Sequence, residues 1–246
     1  MHGFLVLFAV VSVGALTGPS EPEIVHFKRP KGVVLEAAYH RGGPTPKDRR
    51  PAVILLHQAG SSRQEWDFIV PELLGLGYRV LALDLRGHGA STPAAKDKRS
   101  FYPKLFTDPL LAPADLTVVI DWLRVRRDVD YSRIAIIGGS VGANLAISAA
   151  VRKEVRTAVA LSGHNENAQK LAGNPASFAP RRVFYIAAAG EPGRVNHAEA
   201  LYAASQYPKR VAVLAGSDAH GASILKEDRR LGKAVLAWLE ENLSKP

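Results

Sequence analysis

The stretch from Arg133 to Ala146, RIAIIGGSVGANLA, constrains the fold of this chain more than any other. Ile134 to Ile137 is a short apolar run suited to a buried parallel strand, and Val141 to Ala150 is small and apolar enough for a packed helix. Between them, Gly138-Gly139-Ser140-Val141-Gly142 is a G-x-S-x-G pentapeptide. A serine forced through a sharp strand-to-helix turn has its Oγ thrust away from the sheet, and the flanking glycines let neighbouring backbone pass with no side chain in between. Ser140 is therefore the candidate nucleophile. Without that chemistry the same segment reads as a Gly-rich turn, able to hold a phosphate at a helix N-terminus.

The rest of the chain alternates in the same way. Glu23 to Phe27 and Val33 to Tyr39 read as two strands around a Pro30-Lys31-Gly32 turn, an antiparallel start to the sheet. A polar loop over Gly42 to Pro51 leads to an apolar strand, Ala52 to Leu56, a helix, Glu65 to Leu76, and a further strand, Arg79 to Leu83. This is a βαβ unit, which demands a parallel sheet with right-handed crossovers. After a long loop, Ala94 to Pro113, the pattern predicts a helix over Asp115 to Val125, then the Ser140 segment and a strand over Ala158 to Leu161. A polar connection from Ser162 to Pro180 precedes a strand at Val183 to Ala188, a helix at Asn196 to Ser205, a strand at Arg210 to Leu214 and a terminal helix at Ile224 to Leu243. The fold class is α/β, a mostly parallel sheet with helices on both faces. In such sheets ligands sit beyond the carboxyl ends of the strands, where His57, Ser140, Glu191 and His220 all fall.

Composition sets the frame. The chain has 246 residues, 47% of them hydrophobic, enough to fill one core, and residues 23–246 read as one domain. The net charge of +9 comes from short basic clusters without interleaved aromatics, so it reads as solvated surface and not as a nucleic-acid track. Residues 1–20 read as a leader: Phe4 to Leu16 is apolar, too short to span a bilayer and of a length that fits a secretory signal, although the only positive groups before it are the terminal amine and His2. The expectation is export, with no stable membrane span. There are no cysteines, hence no disulfide and no Cys-ligated metal, and no H-E-x-x-H pattern occurs. No cofactor is expected.

A serine hydroxyl is a poor nucleophile at neutral pH unless an imidazole takes its proton. His220, in the loop after the last strand, is the candidate base; His26 and His40 belong to the first strands, His164 follows an inner strand and His197 starts a helix. The third member is an acid between Ser140 and His220, with Glu191 after the strand Val183 to Ala188 as first choice, Glu166 as its rival and Asp218 as a shaper of the His220 loop. Acyl transfer also needs backbone N–H groups around a developing oxyanion, and Ala59 and Val141 are placed to supply them. His57 reads as a loop histidine bonded to backbone, Trp66 as packing, and Asp84-Leu85-Arg86-Gly87-His88-Gly89 as a tight turn pinned by an Asp84–Arg86 ion pair.

The ordered motifs LLHQAGSSRQEW, ALDLRGHGAS, IGGSVGAN, AAAGEP and GSDAHG, running from about Val53 to the C-terminus, resemble the α/β-hydrolase family, especially its small cap-less members of the dienelactone-hydrolase-like and esterase type. The resemblance implies Ser140 as nucleophile, His220 as base, an acid at Glu191 and an oxyanion hole at Ala59 and Val141. It differs in two places: Glu191 stands where the family usually has Asp, and HQAG replaces the commoner HG-x-G. The short connection from Ser162 to Pro180 implies a minimal cap and a small or exposed ester as substrate. A fold-sharing binding protein without turnover is the competing reading, since the acid is of the unusual kind.

Overall fold

The computed structural model describes residues 21–42, 49–91, 104–173 and 176–244. Eight strands, β1 (Glu23–Lys28), β2 (Val34–His40), β3 (Arg50–Leu56), β4 (Arg79–Leu83), β5 (Val129–Gly139), β6 (Thr157–Leu161), β7 (Arg181–Ala188) and β8 (Gln206–Leu214), form one sheet in the order β1-β2-β4-β3-β5-β6-β7-β8. β1 pairs antiparallel with β2 and β2 with β4; every other pairing is parallel. The central strands are apolar throughout because both of their faces are covered.

The period of two in a strand divides the core. Ile54, Leu56, Ile134 and Ile136 face one layer, with helices α2 (Ala112–Arg124), α3 (Val141–Val151), α4 (Asn165–Leu171) and α5 (Arg194–Ala204). Val53, Leu55, Ala135 and Ile137 face the other, with α1 (Val70–Gly75), α6 (Ser223–Glu227) and α7 (Arg229–Leu243). Helix α3 is buried on all sides over residues 141–150, which is why its sequence carries no polar face. That burial fixes one end of the turn at Ser140.

Four sequence expectations need correction. The helix expected over 65–76 is a 3-10 turn, Arg63–Trp66, followed by the short α1, because Pro71 can only sit in the first turn of a new helix. The terminal helix is divided at Asp228, whose extended backbone and side chain, accepting from the Arg230 N–H, cap the start of α7. The connection after β6 holds a helix, α4, and α2 begins at Ala112, three residues before Asp115. Within the long loop, 104–107 are helical; 92–103 lie outside the described residues, as does the leader at 1–20.

Candidate active site

Strand β5 ends at Gly139 and α3 begins at Val141, so Ser140 alone makes the turn. Its backbone sits at φ 54°, ψ −112°, strained for a residue with a side chain by about 1–3 kcal/mol. A Cβ at Gly138 would lie 2.2 Å from the Gly142 carbonyl oxygen, and one at Gly142 would lie 2.2 Å from that of Leu56. Neither position can carry a side chain while the turn is this tight. The Ser140 N–H donates to the Leu161 carbonyl at 2.9 Å and so anchors the turn to β6.

Two further loops close on it. Gly221 packs against Gly139, with its Cα 3.2 Å from where a Cβ on Gly139 would stand, so the segment carrying His220 lies beside the residue that precedes Ser140. His220 Nδ1 is 2.6 Å from Glu191 Oε1, and the Gly190 N–H donates to the Ser217 carbonyl at 2.7 Å. An imidazole that donates through Nδ1 to a carboxylate keeps the lone pair of Nε2 available to accept a proton.

Glu191 is held at both oxygens. Arg194 Nε donates to Oε1 at 2.6 Å, and the Ser162 hydroxyl donates to Oε2 at 2.9 Å. Ser162 is 1% exposed, stands at φ 55°, and its Oγ also accepts the Gly221 N–H at 3.1 Å. One serine therefore braces both the acid and the loop of the imidazole. Gly193, at φ 74°, makes the turn that brings Arg194 back onto Glu191. Sequence reasoning passes over Ser162 and Arg194. The signals were there: a Ser-Gly step at the carboxyl end of an inner strand, and a cation three residues after the acid.

The structure brings Glu191 to His220 and does not bring the other acids. Glu166 is exposed in the first turn of α4, where its charge faces His164 and His197, and Asp218 is exposed in the loop. Among the described residues neither makes a hydrogen bond to His220. His164 and His197 stack with centroids 3.8 Å apart, and burial, together with the Arg194 charge, holds both below the usual histidine range.

The candidate oxyanion donors lie in the turn itself and in the loop after β3. The N–H of Val141 belongs to the first turn of α3, which leaves its donors open and carries the positive end of the helix dipole. Ala59 lies in the turn after β3, and among the described residues no acceptor takes its N–H. The two loops touch: the Cβ position of Gly142 is 2.9 Å from the His57 carbonyl oxygen.

His57 itself is fully buried and cross-links the loops. Its Nδ1 is 2.7 Å from the Gln58 carbonyl, its Nε2 accepts the Leu85 N–H at 3.0 Å, and burial pushes its pKa down to about 4, so the ring is neutral. Trp66 is fully buried, as packing requires. The expected Asp84–Arg86 pair is not formed. Asp84 folds inward against Gly89 and accepts from the Arg63 N–H at 2.7 Å and from its guanidinium, whereas Arg86 reaches out to Asp115 at 2.6 and 2.7 Å. Among the described residues no group of three His, Asp or Glu side chains is placed to hold a metal ion.

Residues 51–190 match a family described as alpha/beta hydrolase fold. An epoxide hydrolase B of Mycobacterium tuberculosis is 43% identical over 54 residues, 22% of this chain and 15% of that protein. A proline iminopeptidase of Pestalotiopsis fici is 32% identical over 130 residues, 52% of this chain and 40% of that protein. The chain thus matches less than half the length of these relatives. Among solved structures, a dienelactone hydrolase from Anabaena variabilis superposes with a TM-score of 0.70 at 17% identity, covering 92% of this chain and 100% of that one. An esterase from Pyrococcus furiosus gives 0.69 at 21% identity, covering 91% and 94%. At such identities the likeness is one of fold.

Proposed function

Because this chain belongs to the α/β-hydrolase family, we propose that it is a serine hydrolase cleaving carboxylic esters of small substrates through an acyl-enzyme. The observation that carries the reading is the 2.6 Å contact between His220 Nδ1 and Glu191 Oε1 beside the strained turn at Ser140. In this reading the Ser140 Oγ attacks the ester carbonyl while His220 Nε2 takes its proton, and the carbonyl electron pair moves onto oxygen, facing the N–H groups of Ala59 and Val141. The imidazolium so formed is stabilised by Glu191 and returns its proton to the leaving alcohol as the C–O bond breaks. Water then repeats the sequence on the acyl-enzyme and releases the acid. The short connection after β6, in which α4 is the one helix among the described residues, supports a small substrate.

A fluorophosphonate probe tests the proposal. It should label the wild-type protein and not Ser140→Ala, and the same variant should lose hydrolysis of p-nitrophenyl acetate while keeping its fold, since Ala is no larger. Wild-type turnover in the purified variant would end the serine-hydrolase reading.

A further inference from the structure

Glu65 is a half-buried carboxylate that the proposed chemistry leaves without a task. It stands in the 3-10 turn Arg63–Trp66, and its Oε2 accepts the Gln58 N–H at 2.9 Å. The Ser61 hydroxyl and the Ala222 N–H lie close enough to the same carboxylate to favour its charged form. Gln58 immediately precedes Ala59, the candidate oxyanion donor, and Ala222 lies two residues beyond His220, the candidate base. The peptide plane between Gln58 and Ala59 carries the Ala59 N–H, so a hydrogen bond that holds the Gln58 N–H limits how that plane can turn.

The Gln58 side chain does not do this work itself. It lies against Gly221, its Oε1 2.4 Å from the Cβ position there, and that oxygen is buried with no hydrogen-bond partner. The loops after β3 and β8 therefore meet across an uncompensated contact, and the Gln58 backbone beside it is held by Glu65. An ionised carboxylate suits the position because it only accepts, and three donors converge on it.

We infer that Glu65 is a positioning residue that holds the Ala59 oxyanion loop, and the His220 loop packed on it, in register through Gln58. The inference rests on the serine-hydrolase reading. Burial raises the Glu65 carboxyl above the usual carboxylate range, while the nearby Gln58, Ser61 and Ala222 donors and the Lys226 ammonium draw it back.

The test is Glu65→Gln, which keeps the shape and replaces one acceptor oxygen by an amide nitrogen that can only donate. Expected is a fall in kcat of about 10- to 100-fold with KM changed less than about twofold, because the loss is of alignment in the transition state and not of substrate binding. The rate of fluorophosphonate labelling should fall with kcat, and amide hydrogen exchange should quicken in peptides spanning residues 57–61 and 218–223 together. A folded variant with unchanged kcat and unchanged exchange over 218–223 overturns the inference while the serine-hydrolase reading stands. A wild type that neither labels nor turns over esters overturns both. Should Glu65→Gln fail to fold, Ser61→Ala removes one donor from the same carboxylate and should lower kcat roughly two- to fivefold by partial loosening; no change there overturns the inference equally.

Discussion

Glutamate is one methylene longer than aspartate, and the arrangement around Glu191 shows how the extra length is accommodated. Ser162 and Arg194 fix both carboxylate oxygens, so the longer side chain has no freedom to swing away from His220. If Glu191 is the acid of a catalytic triad, as proposed, neutralising it lowers kcat by about 10⁴, roughly 5 kcal/mol of transition-state stabilisation. Glu191→Gln should therefore lose on the order of 10²–10⁴-fold in kcat, and Glu166→Gln and Asp218→Asn, whose side chains are exposed and apart from His220, less than about tenfold. Steady-state kinetics on the three purified variants decide it; a crippled Glu166→Gln beside a near-neutral Glu191→Gln would move the acid to α4. His57 makes a separate prediction. Its folded-state pKa, about 4, lies below the ordinary 6.5, so the neutral ring contributes stability that is present above pH 6.5 and is lost as pH falls through 4. The shift corresponds to about 3 kcal/mol across that window. Urea unfolding in that range should show His57→Gln less stable than wild type at neutral pH, yet losing less on acidification.

At the level of elements, the turn between β5 and α3 tolerates no added atoms, whereas the first turn of α7 does. Gly142→Ala places a Cβ 2.2 Å from the Leu56 carbonyl oxygen, backbone that cannot yield without separating α3 from β3. Overpacking of this kind costs about 1–3 kcal/mol or more, so the variant should unfold at lower urea and lose activity by displacing the Val141 N–H. Gly232→Ala, inside α7, meets nothing closer than the Leu225 carbonyl oxygen at 4.0 Å. Helix propensity then decides, and the variant should gain up to about 1 kcal/mol. A destabilised Gly232→Ala would show that α7 packs more tightly than these distances allow.

For the molecule as a whole, the net charge of +9 comes from basic clusters spread along the sequence, and several of the described cations are paired, as in Arg124–Asp121, Arg152–Glu154 and Arg126–Glu23. No helix among the described residues is long and apolar enough to cross a membrane. Export is a proposal that rests on the composition of residues 1–20, outside the described residues. It predicts a mature chain beginning between Leu16 and Glu21, to be read by N-terminal sequencing of the extracytoplasmic fraction. Full-length protein confined to the cytoplasm would reject it.

The order of strands and helices was legible because short apolar runs, glycine turns and amphipathic periods are local properties, each readable within about a dozen residues. For the same reason Ser140 was legible, since the G-x-S-x-G turn states its own geometry. The breaks at Asp67 to Ile69 and at Asp228 escaped, because an apolar period does not show where Pro71 starts a new first turn or where the Asp228 side chain caps one. What lies around Glu191 was decided by tertiary structure alone. Two acids followed successive strands, Glu191 as first choice and Glu166 as its rival, and only the positions of β6, β7 and β8 set one carboxylate against His220 and left the other in solvent. Asp84 and Arg86 show the same limit: neighbours in sequence, they found Arg63 and Asp115 instead, because a charge buried by the fold pairs with whatever the fold brings near.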